Sequence, residues 1–131
     1  MKSINKAEFD KLVYDTTTIN ENTKNLKFLG EKPVILDFYA DWCQPCKMMV
    51  PTLEEIAKQY PNIDIYKINV DEQRELSQMF GIRSIPTLLL IPKNSTPQAI
   101  NGAMGKTQLK KVIEDVLLEN GIQDAEIIEE S

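Results

Sequence analysis

The sequence of 131 residues contains no histidine and only two cysteines. The lack of histidine and the scarcity of cysteine both limit the chemistry that the chain can carry out. Without histidine, no Cys–His hydrolytic pair can form within one chain. A closed zinc site needs four ligands, so two thiols leave only a zinc ion that is shared between chains or completed by carboxylates. The low cysteine count is typical of a protein from a reducing compartment.

Long apolar runs and a strong charge of one sign are also missing. No stretch approaches the roughly 18 apolar residues of a membrane-spanning helix, and the first six residues lack the apolar segment of a signal peptide. The net charge of −5 comes mostly from residues 121–131, which contain four acids and no base. The other 120 residues hold 15 bases and 16 acids, without a basic stripe. The sequence therefore predicts neither membrane insertion nor nucleic-acid binding.

The two cysteines, Cys43 and Cys46, lie where a strand is predicted to turn into a helix. Residues 34–40 are almost all apolar, as in a strand that is buried on both faces. Beyond the cysteines, apolar residues recur at the spacing of one helix face: Met49, Leu53, Ile56 and Tyr60. Pro45 suits the first helical turn, where its missing N–H has no partner to lose. Cys43 is thus placed at a helix N-terminus, at the end of a strand where ligands collect in open α/β sheets.

This position favours redox chemistry over a structural cross-link. A disulfide that closes four residues would stabilise the fold by only about 2 kcal/mol in the chain-entropy model. The unpaired N–H groups and the dipole of a helix N-terminus instead stabilise an anion, here the thiolate of Cys43. The thiolate is the form of cysteine that attacks disulfides. Cys46 is close enough to form a disulfide with Cys43 and is expected to point further into the protein.

Four segments of the sequence form a more specific pattern. The first is Asp-Phe-Tyr-Ala-Asp-Trp-Cys-Gln-Pro-Cys-Lys at residues 37–47, followed by Pro51. The others are residues 67–71, 80–87 and 101–103. In these segments the sequence resembles the thioredoxin family, and all four occur in the family's order between about residues 33 and 120. The resemblance implies an α/β protein with the thioredoxin fold, in which about four helices flank a central mixed sheet of about five strands.

The chain is expected to form a single domain over residues 1–120 that begins with an N-terminal extension. Residues 15–31 are predicted to be a polar insertion, and residues 121–131 a flexible acidic tail. Near the start, a short edge strand is expected before a helix. Asn5 and Glu8 are spaced as a capping box for that helix.

Two further local structures are predicted from the pattern. Residues 26–29 suggest a brief helical turn that ends at Gly30. Asp71 follows a predicted strand and is expected to cap the next helix, whose Leu76 and Met79 would face the core.

Asp37 stands inside the apolar strand, where an ionised carboxylate is costly unless it is paired. Burial should raise the pKa of its carboxyl group, and Lys67 on a neighbouring strand would be its counter-charge. The family resemblance implies that Asp37 helps to move the proton of Cys46. The alternatives are that Asp37 reaches solvent through the following loop and that Lys67 simply exposes its charged head.

Residues around the first cysteine are predicted to form a docking surface for disulfide substrates. Trp42 precedes a helix in a loop, which favours a partly exposed ring over a place in the core. Ile85-Pro86 resembles the family's cis-proline loop, which implies a cis bond beside the dithiol, although spacing alone would suit a trans proline that starts a strand. Together with Gly102 and Ala103, these residues would form a small apolar patch for varied protein disulfides.

The resemblance implies a protein-disulfide reductase. Cys43 would attack a substrate disulfide, and Cys46, deprotonated with help from Asp37, would release the reduced substrate. It also implies recharging by an NADPH-dependent flavoprotein reductase, with no cofactor bound to this chain, which is expected to be a monomer. Gln44 stands where the family usually has glycine, and Tyr39 where it commonly has tryptophan. Gln44 either changes the reduction potential or the choice of partner, or is a tolerated exposed side chain.

Two other functions fit the same cysteine motif. One is an exported disulfide oxidase or isomerase, which would need an unusually stable reduced form. The other is a binding module whose thiols seldom turn over. Cysteine usage predicts a cytoplasmic location, but a periplasmic or exported chain that had lost its leader would have the same composition.

Overall fold

The structure is a computed structural model that describes residues 1–18 and 27–118. Its strands are β1 (Lys2–Ser3), β2 (Val34–Tyr39), β3 (Asp64–Asn69), β4 (Thr87–Ile91) and β5 (Gln98–Asn101). They form one sheet in the order β1-β3-β2-β4-β5. Strands β1, β3 and β2 run parallel to one another, whereas β4 runs antiparallel to both of its neighbours. The mixed five-stranded sheet implied by the sequence is confirmed.

In the described residues, four α-helices accompany the sheet, as expected. They are α1 (Lys6–Leu12), α2 (Gln44–Gln59), α3 (Arg74–Met79) and α4 (Lys106–Val112). A 3₁₀ turn (Thr16–Thr18) follows α1, and a π-helical turn (Ile113–Leu117) continues α4. Within the described parts of the chain, no helix has the length and apolar character that crossing a membrane requires.

The sheet separates two apolar cores, and strand β2 contributes to both. Ile35 packs with the buried faces of α2 and α4, whereas Leu36 and Phe38 pack with the residues of α1 and α3. Neighbouring residues of a strand point to opposite faces of the sheet, so a strand covered on both faces reads as an unbroken apolar run. The same alternation places Asp37 on the face of Ile35, which is the face that α2 covers.

The N-terminal segment forms as its sequence predicts. Strand β1 lies at the edge of the sheet beside β3. The side chain of Asn5 accepts a hydrogen bond of 2.8 Å from the N–H of Glu8, and the N–H of Asn5 donates one of 3.0 Å to the Glu8 carboxylate. This reciprocal capping box starts α1 and satisfies two N–H groups that the helix itself cannot pair.

The predicted helical turn over residues 26–29 is wrong for the residues that the structure describes. Phe28 forms an isolated antiparallel bridge with Tyr14, and the N–H of Leu29 donates to the carbonyl of Val13 at 2.8 Å. Contact between the Phe28 and Tyr14 rings, whose centroids lie 5.8 Å apart, holds this segment extended against the end of α1. Residue 26, part of the 15–31 insertion and the acidic tail lie outside the described residues.

The expected cap at Asp71 is also wrong. Helix α3 begins later, at Arg74, and the side chain of Asn69 accepts the N–H groups of Asp71 and Glu72 at 2.9 and 3.2 Å. Asn69 thereby stabilises the turn between β3 and α3, and the Asp71 carboxylate is left to contact another loop. Helix α3 contains only six residues. Leu76 in it is buried as expected, whereas Met79, its last residue, is 41% exposed and does not lie in the core.

Candidate active site

The two cysteines lie at the point where β2 leads into α2. Cys43 occupies the N-cap position of α2, and its sulfur accepts a hydrogen bond of 3.2 Å from the N–H of Cys46. The two residues form a disulfide, with their Cα atoms 5.3 Å apart. Pro45 lies in the first turn of the helix, where an N–H would have no partner within the helix. The helix N-terminus therefore supplies a hydrogen-bond donor directly to the sulfur of Cys43.

Both cysteines are buried to a similar degree. Cys43 is 4% exposed and Cys46 is 3% exposed, and they form a small apolar cluster with Ala40. Val70 and Ile85 pack against this cluster from neighbouring loops. Overall exposure therefore does not separate the two cysteines, and the expectation that Cys46 points further inward stays a prediction. They differ in hydrogen bonding, because the sulfur of Cys43 receives the backbone N–H at the helix start.

Asp37 is a buried carboxyl group beside the disulfide. It is 2% exposed, and its Oδ1 atom has no hydrogen-bond partner among the residues that the structure describes. Burial raises the pKa of Asp37 from 3.8 to about 6, although the positive charge of Lys67 opposes that rise. Asp37, Cys46 and Lys67 line one cleft of ≈ 100 Å³, which has room for several water molecules. A group that binds and releases a proton near neutral pH therefore lies in the same cleft as Cys46.

The ammonium group of Lys67 lies against an aromatic ring. Lys67 is paired in register with Asp37 across β3 and β2, as the expected counter-charge requires. Its Nζ atom, however, lies 4.2 Å from the centroid of the Tyr39 ring. Among the ion pairs of the described residues, none within 4 Å joins Lys67 to Asp37. In the described segments, no group of three or more Cys, Asp or Glu side chains is placed to hold a metal ion.

Trp42 stands at the rim of the site. Its side chain is exposed (70% for the residue), and its indole N–H donates a hydrogen bond of 2.9 Å to the Asp71 carboxylate. A shallow groove runs from Trp42 along the loop before β4, and the residues that line it are Trp42, Val70, Ile82, Arg83, Ser84 and Ile85. The groove brings an apolar surface up to the cysteine cluster, which Val70 and Ile85 also contact.

The loops that precede β4 and follow β5 meet beside the cysteines. The peptide bond between Ile85 and Pro86 is cis. Pro86 is buried, and its carbonyl accepts a hydrogen bond of 2.8 Å from the N–H of Gly102. Gly102 adopts φ = +91°, a conformation that residues with a side chain rarely take. Ala103 and Gln44 are both exposed.

Two residues of the site were not identified from the sequence. Asn69 stabilises the turn after β3, and Asp71 in that turn anchors Trp42. An Asn-x-Asp spacing that begins at the last residue of a strand is a signal for a side-chain-stabilised turn, and that signal pointed to Asn69 rather than to a helix cap at Asp71.

Comparison with known proteins gives the same family that the sequence motifs resemble. The thioredoxin family model matches residues 2–115. A thioredoxin of Borreliella burgdorferi is 37% identical over 86% of this chain and 94% of its own length. A thioredoxin of Alicyclobacillus acidocaldarius is 41% identical over 78% of this chain and 98% of its own length. A solved chain from a structural study of thiol resolution in the yeast mitochondrial 1-Cys peroxiredoxin is 34% identical, with a TM-score of 0.60 over 65% of this chain and 79% of that chain.

The fold and the cysteine pair define a thiol–disulfide oxidoreductase, whose redox-active group is the Cys43–Cys46 disulfide. The chain belongs to the thioredoxin family.

Proposed function

We propose that the protein reduces disulfide bonds of other proteins through the Cys43–Cys46 dithiol. The observation that carries this proposal is the place of the Cys43 sulfur at the N-cap of α2, where it accepts the N–H of Cys46. The same donor and the helix dipole stabilise the Cys43 thiolate once the disulfide is reduced. The thiolate is the nucleophilic form of cysteine, so Cys43 makes the first attack on the substrate disulfide, and its sulfur is then the one that Cys46 attacks.

The reaction consists of two exchanges. In the first, the Cys43 thiolate attacks one sulfur of the substrate disulfide, which forms a mixed disulfide and expels the other substrate sulfur as a thiolate. In the second, the Cys46 thiolate attacks the sulfur of Cys43, which breaks the mixed disulfide and expels the second substrate thiolate. Two electrons thereby pass to the substrate, whose thiolates take up protons, and the protein is left with the Cys43–Cys46 disulfide.

Asp37 is the proposed acceptor for the proton of Cys46. Both side chains line the same cleft, and burial raises the pKa of Asp37 to about 6. At neutral pH the carboxylate is therefore mostly ionised and can accept a proton, directly or through water in the cleft. Because the raised pKa makes the Asp37 carboxylate a stronger base than an ordinary aspartate, proton transfer from the Cys46 thiol to it is less unfavourable.

Substrates are proposed to dock on the groove beside Trp42 and Ile85. The groove is largely apolar, ends at the cysteine cluster and is exposed at Trp42. Gly102 and Ala103 border the same region through the contact between Gly102 and Pro86. Apolar contact of this kind suits brief docking of partners that differ in sequence.

The electron donor is proposed to be an NADPH-dependent flavoprotein reductase, with this chain acting as a monomer that carries electrons only on its cysteines. Use of the cysteines as a single redox pair supports a reducing compartment, so we propose a cytoplasmic location. The compartment is tested by quenching thiol exchange in cells with acid and then alkylating the free cysteines. In a reducing compartment, Cys43 and Cys46 are expected to be mainly in the dithiol form.

The equilibrium reduction potential of the Cys43–Cys46 pair, measured in dithiothreitol buffers, tests the direction of the reaction. A strongly reducing value, together with reduction of insulin disulfides by catalytic amounts of protein, is the expected result. A potential as oxidising as that of disulfide-forming catalysts would overturn the reductase proposal in favour of an oxidase or isomerase. Gln44→Gly serves as a matched variant, since it measures the contribution of the residue between the cysteines.

A further inference from the structure

Four side chains from three strands meet on the α2 face of the sheet. The register pairs Ser3 of β1 with Lys67 of β3, and Lys67 with Asp37 of β2. Tyr39 lies two residues beyond Asp37 on the same strand and therefore on the same face. The four residues form a row that ends at the cleft beside the disulfide, in which Asp37, Tyr39 and Lys67 are lining residues.

Tyr39 contacts Lys67, Ser3 and the cysteine cluster. Its ring lies under the Lys67 ammonium, with 4.2 Å between Nζ and the ring centroid. Its hydroxyl is 3.2 Å from the hydroxyl of Ser3, which ties the ring to the edge strand. The ring also packs against the cluster that contains the two cysteines. Asp37, in contrast, has one buried oxygen without a hydrogen-bond partner in residues 1–18 and 27–118.

We propose that Tyr39 is a positioning residue, whose ring holds the Lys67 ammonium away from the Asp37 carboxylate and thereby sets the pH range in which Asp37 accepts the proton of Cys46. A lysine ammonium has three donors on a flexible stem, and the unpartnered Asp37 oxygen lies across the register pair from it. Attraction to the ring face competes with that pairing. The role of Asp37 in this proposal rests on the proposed reductase mechanism.

Other charged groups also face the cleft and enter the test. Asp41 lines it from the loop before α2, and Lys47 lines it from α2 itself. Neither changes when Tyr39 is substituted, so their effect on Asp37 is common to all variants. The adjacent position on β4, Leu88, is apolar and contributes no charge.

The test is a titration of the Asp37 carboxyl carbon by ¹³C NMR in the oxidised full-length protein, which requires no turnover. In Tyr39→Leu the ammonium is released to pair with Asp37, so the titration midpoint is expected to fall by roughly one pH unit. Tyr39→Phe and Tyr39→Trp keep an aromatic face for the ammonium and are expected to titrate like the unmodified protein. Tyr39→Met replaces the leucine variant if the latter does not fold.

A double-mutant cycle shows whether Tyr39 acts through Lys67. In a Lys67→Met background, Tyr39→Leu is expected to cause much less than the shift that it causes alone. An equal shift in both backgrounds, an unchanged midpoint in Tyr39→Leu, or a shift in Tyr39→Phe as large as in Tyr39→Leu would each overturn the inference.

A kinetic measurement separates this inference from the proposed function. The pH profile for release of substrate from the mixed disulfide is expected to move to lower pH in Tyr39→Leu, by the same amount as the titration. If the unmodified protein fails to reduce disulfides while the titration shifts appear, the reductase proposal fails and the link from Tyr39 to Asp37 stands. If reduction is normal and the shifts are absent, the positioning role of Tyr39 fails alone.

Discussion

The indole N–H of Trp42 donates a hydrogen bond of 2.9 Å to the carboxylate of Asp71, and this bond joins the loop before Cys43 to the turn after β3. Asn69 holds that turn in place through the N–H groups of Asp71 and Glu72. The exposed ring at the rim of the active site is therefore fixed by a second loop, 29 residues away in the sequence.

Asp71→Ala is expected to free the Trp42 ring while costing the fold little. Because the bond is exposed, its loss should lower the free energy of unfolding by no more than about 1 kcal/mol. Trp42 is the only tryptophan, so fluorescence anisotropy reports its motion directly. Lower anisotropy and a higher KM for protein disulfides are expected. Glu72→Ala removes the neighbouring exposed carboxylate as a control, and unchanged anisotropy in Asp71→Ala would contradict the role of this bond.

Asp37 should make the stability of the oxidised protein depend on pH. Its pKa is about 6 in the folded protein against an ordinary value of 3.8, so the folded protein binds more protons than the unfolded chain between these values. The free energy of unfolding therefore falls as pH rises from about 4 to 6, and levels off above that range. The fall amounts to at most about 3 kcal/mol.

Urea denaturation of the oxidised protein at a series of pH values measures this dependence. Asp37→Asn is expected to be more stable than the unmodified protein at pH 7 and to lose the decline between pH 4 and 6. Glu54→Gln removes an exposed carboxylate from α2 and serves as the matched control. Parallel curves for Asp37→Asn and the unmodified protein would show that the Asp37 carboxyl ionises as readily in the folded protein as in the unfolded chain.

The two cysteine-to-serine variants should lose different steps of the disulfide exchange. Cys46→Ser leaves the attacking thiol without a partner to resolve the mixed disulfide, so a covalent complex with substrate is expected to accumulate. Cys43→Ser lacks the thiolate at the helix N-terminus and should form such a complex far more slowly. Non-reducing gel electrophoresis after mixing with an oxidised protein distinguishes the two. Faster trapping by Cys43→Ser would reverse the assigned roles.

Gly102 should tolerate a side chain poorly although there is space for one. A Cβ atom at Gly102 would meet nothing within 4 Å, but the residue has φ = +91°. Gly102→Ala is expected to lower the free energy of unfolding by about 1–2 kcal/mol through backbone strain alone. Gly105 offers the matched control, because its Cβ would also meet nothing while its φ is −77°. Gly105→Ala should stay within about 0.5 kcal/mol of the unmodified protein in urea denaturation.

Local features were predicted from the sequence where neighbouring residues decide them. The apolar run over residues 34–40 predicted a strand buried on both faces, because such a strand has no polar face to show. Asn5 and Glu8 predicted the capping box, which depends on residues only three apart. The cysteine motif between a strand and a helix predicted where the redox site lies, since that turn places Cys43 at the N-cap.

Errors arose where a distant partner competes with a local one. Asp71 was a suitable helix cap by its position, but Asn69 holds the turn instead and Trp42 donates to the Asp71 carboxylate. The apolar pattern before Gly30 suggested a helical turn, but contact between Phe28 and Tyr14 keeps that segment extended. Trp42 and Tyr14 are far from these segments in the sequence and cannot be found from the adjacent residues, whereas Asn69 is only two residues from Asp71 and its spacing was a usable signal.

The sequence by itself determined the strand and helix that flank the cysteines, the position of the redox pair and the family, because these depend on local spacing and on motifs. Only the tertiary structure decided the strand order, which brings Ser3, Lys67 and Asp37 into one row. It also decided that the Lys67 ammonium lies on the Tyr39 ring while one oxygen of the buried Asp37 carboxyl has no hydrogen-bond partner in the described part of the chain. The physical reason is that the packing of separate strands fixes burial and charge separation, and these together set the proton affinity of the site.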